Sequence, residues 1–244
     1  MAAVLHALLV LFLVFVFPLW DRRETARLKA STHPGARLRG YRQTIAWQLV
    51  ATGMLLLTVP VRLLFTRPGG ETVMGHRLDP GIVLPIIVGM TMGALLPVII
   101  LRMKARKDPT GPAPAGPLDA IAFFLPRTRR ERWWFAAVCV TVGVCEEIIF
   151  RGFLIRYFGS LPFVHVGLAG AVLLSAAIFG MDHGYQGWKG ILGTFVLALV
   201  MTALFFVTGS LWVPIVVHAL LDLRVLLILP RKPADATPET PGPA

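Results

Sequence analysis

Seven stretches of the chain are almost wholly apolar over about twenty residues, the length a helix needs to cross the hydrocarbon core of a bilayer. They cover residues 2–20, 43–65, 81–101, 133–158, 163–183, 190–208 and 211–229. The polar residues between them gather into short stretches rich in Arg and Lys or in Pro. This pattern predicts an all-α, polytopic membrane helix bundle with about seven transmembrane helices. The first run lacks a basic start and a small-residue cleavage site, so it reads as a retained anchor. The last two runs are divided by Thr208-Gly209-Ser210 and Pro214, which signal a turn. Pro109, Pro112, Pro114, Pro117 and Pro126 mark a linker with a short interfacial helix at 118–125. The expected organisation is a three-helix region at 1–107, a Pro-rich linker at 108–117, a four-helix bundle at 118–229 and a disordered tail at 230–244.

Composition agrees with this pattern. Of 244 residues, 56% are hydrophobic and 15% charged, against about 25% charged in an ordinary soluble domain. The net charge of +11 would suggest nucleic acid in a soluble protein. Here the basic residues crowd into loops, which the positive-inside rule explains, and no nucleic-acid partner is expected. Residues 21–42 hold seven Lys or Arg and residues 102–132 hold eight, whereas 66–80 hold only Arg67 and Arg77. The two rich loops are separated by two spans and share a side, expected to be cytoplasmic, in the inner or plasma membrane of a cell. Cys139 and Cys145 fall on different faces of one helix and cannot pair with each other.

Ionisable groups at membrane depth cost about 2.5–3.5 kcal/mol each on insertion scales and usually mark function. The front three spans carry almost none and are not diagnostic. The back four carry Glu146, Glu147, Arg151, His183, His218, Asp222 and Arg224. Glu147 and Arg151 are spaced i,i+4 and share a helix face, which suits a structural ion pair. Glu146 lies about 100° away, free to face a polar cavity, where a carboxylate is suited to act as general base. The bland alternative is one buried charge network. His183 precedes Gly184 at a helix end, where a His is often only a snorkelling tip, and Asp182 is expected at the surface or as a cap. His218 and Asp222, again i,i+4, suit a carboxylate that orients an imidazole, or a simple packing hydrogen bond. Glu and two His can activate water for attack on an amide, with a zinc ion or without metal. No His-Glu-x-x-His motif is present.

These motifs resemble those of the CAAX protease and bacteriocin-processing (CPBP, or ABI) family, intramembrane endopeptidases related to the type II CAAX prenyl endopeptidase. Its Glu-Glu-x-x-x-Arg pattern matches Glu146, Glu147 and Arg151. Its Phe-x-x-x-His matches Phe179 and His183, and its His-x-x-x-Asn/Asp matches His218 and Asp222. The resemblance covers about residues 118–229. It implies hydrolysis of a peptide bond in a membrane-associated protein or peptide, CAAX-type or other processing, with the lipid bilayer as the surroundings. It implies that Glu146 and His183 activate water and that His218 and Asp222 bind the oxyanion or complete the site. Glu147, Arg151 and Phe179 would give structural support. It leaves the cofactor as zinc, on Glu146, His183 and His218, or none. Asp222 stands where an Asn would donate a hydrogen bond; an ionised Asp only accepts, so Asp222 is expected to orient His218 or to stay protonated. The readings set against an enzyme are a non-catalytic membrane scaffold or immunity protein of the same fold, and an ion- or proton-coupled transporter.

Other residues are expected to be structural. His165 reads as a packing His, and His6, His33 and His76 as solvated. Trp133, Trp134 and Trp212 suit the membrane interface. Gly167, Gly170 and Gly193 suit close helix packing.

Overall fold

The computed structural model describes residues 2–68, 119–161 and 166–229, with the isolated positions 89 and 103. The third apolar run, the linker 108–117, the tail 230–244, His76 and His165 lie outside the described residues. The described part is all-α, with one isolated antiparallel bridge, Thr66 to Ser210, joining two loops.

The first apolar run does not stop at its polar end. Helix α1 runs Ala2–Ala30 through a π turn at Phe12–Val16 and carries its basic residues as a helical extension. Helix α2, Ala36–Thr58, likewise starts seven residues before the apolar stretch, among Arg37, Arg39 and Arg42. It ends before Pro60, after which a short helix α3 covers Val61–Phe65. The single span expected at 43–65 is thus two helices, because Pro60 has no N–H to continue the ladder. The interfacial helix expected at 118–125 is only a 3₁₀ turn, Asp119–Ile121.

Helix α4, Arg129–Glu146, opens on a capping box. Thr128 Oγ1 accepts from the Glu131 N–H, and Glu131 reaches back to the Thr128 N–H. Glu131 also accepts from Arg37 Nε at 3.1 Å, tying α2 to the start of α4. Its carboxyl is buried, which alone would raise its pKa. The Arg127 and Thr128 N–H groups and the Arg37 guanidinium outweigh that and hold it below the usual value. From Glu147 to Leu154 the helix becomes π-helical, then returns to α in α5, Ile155–Gly159. Helices α6, Gly167–Asp182, α7, Gly187–Thr208, and α8, Trp212–Ile228, complete the described fold. Gly209 takes the left-handed conformation, φ 68°, at the turn between α7 and α8.

By length and composition, Ala2–Ala30 and Gly184–Thr208 are the helices among the described residues that are long and apolar enough to cross a bilayer without interruption. Helix α4 packs between α2 and α8, while α6 pairs with α7. The close approaches fall on glycines other than those expected. A Cβ on Gly143 would lie 2.8 Å from the Ala219 backbone nitrogen, and one on Gly152 would lie 2.5 Å from the Leu64 carbonyl oxygen. Gly167 and Gly193 have open space around them, and Gly170 meets only its neighbour Val166. Leu55, Leu64, Ile149, Leu154, Phe179, Phe205 and Leu211 are among the buried core. His6 is partly buried rather than fully solvated. Its Nε2 is 2.8 Å from Thr58 Oγ1 and its ring meets Phe153 edge-on. Cys139 and Cys145 are buried free thiols.

Candidate active site

Three helix segments bring the candidate residues together. The junction of α4 with the π segment supplies Glu146, Glu147 and Arg151; the end of α6 supplies Phe179 and His183; α8 supplies His218 and Asp222. The contact that sets α8 against α4 is Gly143 beneath Ala219, next to His218.

Glu147 is at the centre. It is fully buried, and its Oε1 lies 3.0 Å from Arg151 Nη1, the i,i+4 pairing that the spacing predicts. The same oxygen accepts from His218 Nδ1 at 2.8 Å, across 71 positions of sequence. Arg151, 1% exposed, also rests over the Phe179 ring at 4.6 Å and reaches the Ala198 carbonyl at 3.4 Å. The π segment keeps all eight of its residues buried. Such π stretches in α-helices recur at functional sites, because they turn side chains off the regular helix faces.

The partner of His218 corrects the sequence expectation. Glu147, not Asp222, orients the imidazole: Asp222 Oδ2 stands 3.7 Å from His218 Nε2, beyond hydrogen-bond length, and its side chain is 40% exposed. A neighbour on the same helix was the natural choice from spacing, but the buried carboxylate of another helix takes the ring. With Nδ1 donating to Glu147, His218 Nε2 is left toward Glu146 Oε2, 3.9 Å away.

Glu146 is not free. Gln48 Nε2, on α2, donates to its Oε1 at 3.0 Å, while Oε2 is buried without a hydrogen-bond partner. The front helices therefore do reach the site, and Gln48 was missed. Its signal was present: Gln48 and Thr52 stand i,i+4 in an apolar helix, and both are buried at 5% exposure. Asp182 was also misread. It is buried at 6%, and neither carboxylate oxygen has a hydrogen-bond partner among the described residues.

His183 Nδ1 lies 2.7 Å from the Phe179 carbonyl oxygen, which can only accept. The N–H is therefore on Nδ1, and in the neutral ring Nε2 is an acceptor. Phe179 spaces the two imidazoles, its ring 4.6 Å from that of His183 and 6.2 Å from that of His218. Tyr185 flanks His183 on its other side, ring centres 5.9 Å apart. Glu146, His183 and His218 do not fit a metal as arranged. Among the described residues, no three His, Cys, Asp or Glu side chains group around a metal position.

The arrangement is that of an all-α membrane protein in which acids and imidazoles from distant stretches meet among buried apolar side chains. Residues 128–224 match the family model for Rce1-like proteins, the type II CAAX prenyl endopeptidases. That span contains all three motifs and agrees with the resemblance on which they were read. No curated protein and no solved structure gave a match.

Proposed function

We propose that the protein is an intramembrane endopeptidase of CAAX type, in which Glu146 is the general base toward water. The observation that carries this reading is the placement of Glu146 Oε2, buried and unbonded, 3.9 Å from the Nε2 of an imidazole whose other nitrogen is held by Glu147. Water bound here would give one hydrogen to Glu146 Oε2 and the other to His183 Nε2, the acceptor left by the bond to Phe179. Glu146 takes the first proton as the water oxygen attacks the scissile carbonyl carbon. The carbonyl oxygen becomes an oxyanion on the His218 side, where a doubly protonated ring, its Nδ1–H held by Glu147, donates from Nε2. As the C–N bond breaks, the proton on Glu146 passes to the leaving amine, and the remaining hydroxyl hydrogen passes to His183 Nε2 and from there to the amine, so the products are a carboxylate and an ammonium. Every proton in this scheme moves between the chain's own side chains and the substrate.

Glu147 and Arg151 hold His218 and the π segment in place, and Phe179 separates the imidazoles. Asp222 lies beside His218, its Oδ2 3.7 Å from Nε2 and its side chain 40% exposed. The substrate is a membrane-associated protein or peptide. The basic loops lie on the cytoplasmic side, and residues 118–229 form the catalytic bundle behind the front helices.

The test is cleavage of a membrane-anchored fluorogenic peptide by the purified full chain, with and without a chelator. Glu146→Gln keeps the shape and the Gln48 contact but removes the base, and is expected to lower kcat by about 10²–10⁴-fold with folding intact. Parental cleavage by this variant would end the proposal. A parental protein that folds but cleaves nothing would favour the scaffold reading.

A further inference from the structure

We propose that Gln48 is a positioning residue for Glu146 in peptide-bond hydrolysis, supplied by a helix outside the segment that matches the family model. This rests on the role of Glu146 given above. Gln48 lies on α2, 98 positions from the acid it contacts. Its side chain is buried at 5%, on a helix face that otherwise buries Ala51, Thr52 and Leu55. A primary amide in such a place costs free energy unless it is bonded. The bond it makes, Nε2–H to Glu146 Oε1 at 3.0 Å, is to a charge-bearing partner and is therefore of the stronger kind.

The consequence is an asymmetric carboxylate. A glutamate has two rotatable carbons and a broad terminal torsion, so an unheld side chain would sample many directions. The amide pins one oxygen, Oε1. The other, Oε2, is then directed to the His218 side, at 3.9 Å from Nε2. The residue type matters as much as its position. An apolar side chain would leave Oε1 buried without a donor. A carboxylate would place two like charges in contact and take a share of the proton that Glu146 must carry. An amide donates at every pH and competes for no proton.

Three variants of the full chain, assayed on the same membrane-anchored peptide, test this. Gln48→Met keeps length and apolar packing but loses the donor. It is expected to fold with a Tm a few degrees below the parent and with parental KM, while kcat falls about tenfold or more, beyond what the small loss of stability explains. Gln48→Glu can donate only when the introduced carboxyl holds a proton, so its rate relative to the parent is expected to rise as the pH is lowered. Glu146→Gln runs beside them. Parental kcat in Gln48→Met, or a pH-independent ratio for Gln48→Glu, would overturn the role of Gln48. If Glu146→Gln itself cleaves, it is the underlying reading that fails; if it is silent while Gln48→Met is fully active, only the Gln48 assignment fails.

Discussion

Replacing Glu147 by Gln tests how the site is held. The amide has the same shape, so packing is nearly unchanged, but the charge between Arg151 and His218 is gone. Arg151, at 1% exposure, then has neutral partners alone from these groups: the amide at 147, the Ala198 carbonyl at 3.4 Å and the face of Phe179. Breaking a buried pair by removing one partner costs about 3–5 kcal/mol, because the remaining charge stays buried and uncompensated. In a chain of this size each kcal/mol lowers Tm by about 2–4 °C, so a fall of roughly 6–20 °C is expected. Removing both charges, as Glu147→Gln with Arg151→Met, should recover much of it. What remains is the weakened bond to His218, a loss of about 1.5–3 kcal/mol for a hydrogen bond to a charged group. Thermal unfolding in one detergent, run as a double-mutant cycle, measures the coupling. Equal Tm for the single and double variants would refute the idea that Arg151 is stabilised through Glu147. Cleavage adds a second readout: the double variant should stay slow even where its stability returns, since the bond that anchors His218 is weakened.

Other perturbations address the supports of the site. The carboxyl of Glu131 is held below its ordinary value of 4.5 in the folded chain, so its contribution to stability is complete above about pH 4.5 and is lost as the pH falls through the lower folded value. Glu131→Gln should therefore be less stable than the parent at neutral pH, with the gap closing as the pH falls below the ordinary value of 4.5; a constant gap in a pH series of thermal melts would contradict this. Gly143→Ala would place a methyl 2.8 Å from the Ala219 nitrogen and push α8 away from α4. Such overpacking costs about 1–3 kcal/mol. Because Ala219 adjoins His218, kcat should drop further than stability alone accounts for, and an enzyme with parental kcat would show that the two helices can part without disturbing the imidazole.

The apolar runs could be read directly, since length and hydrophobicity are properties of a local stretch. Their ends could not. Arg37, Arg39 and Arg42 are helical residues of α2 although they lie outside any apolar run, because a helix may extend past the hydrocarbon into water. The ion pair of Glu147 with Arg151 was visible because helical spacing brings i and i+4 together. The bond of Glu147 to His218 was invisible for the opposite reason: 71 intervening residues carry no periodic signal of it. The π segment leaves no mark in residue type, so Glu146 and Glu147 could be separated by face but not placed. Gln48 and Thr52 were legible as polar residues at i,i+4 in an apolar helix, yet only charged groups had been given weight. Asp182 was judged by its place at a helix end, where exposure is common, and the fold buries it.

Gln48 has a bearing on how such a chain can be rebuilt from parts. A catalytic half grafted behind the front helices of a different relative would inherit its acid but lose the amide that aims it, unless position 48 travelled with the graft. Position 48 should accordingly resist substitution wherever the acid at 146 is kept, although the two positions stand in separate stretches of the chain.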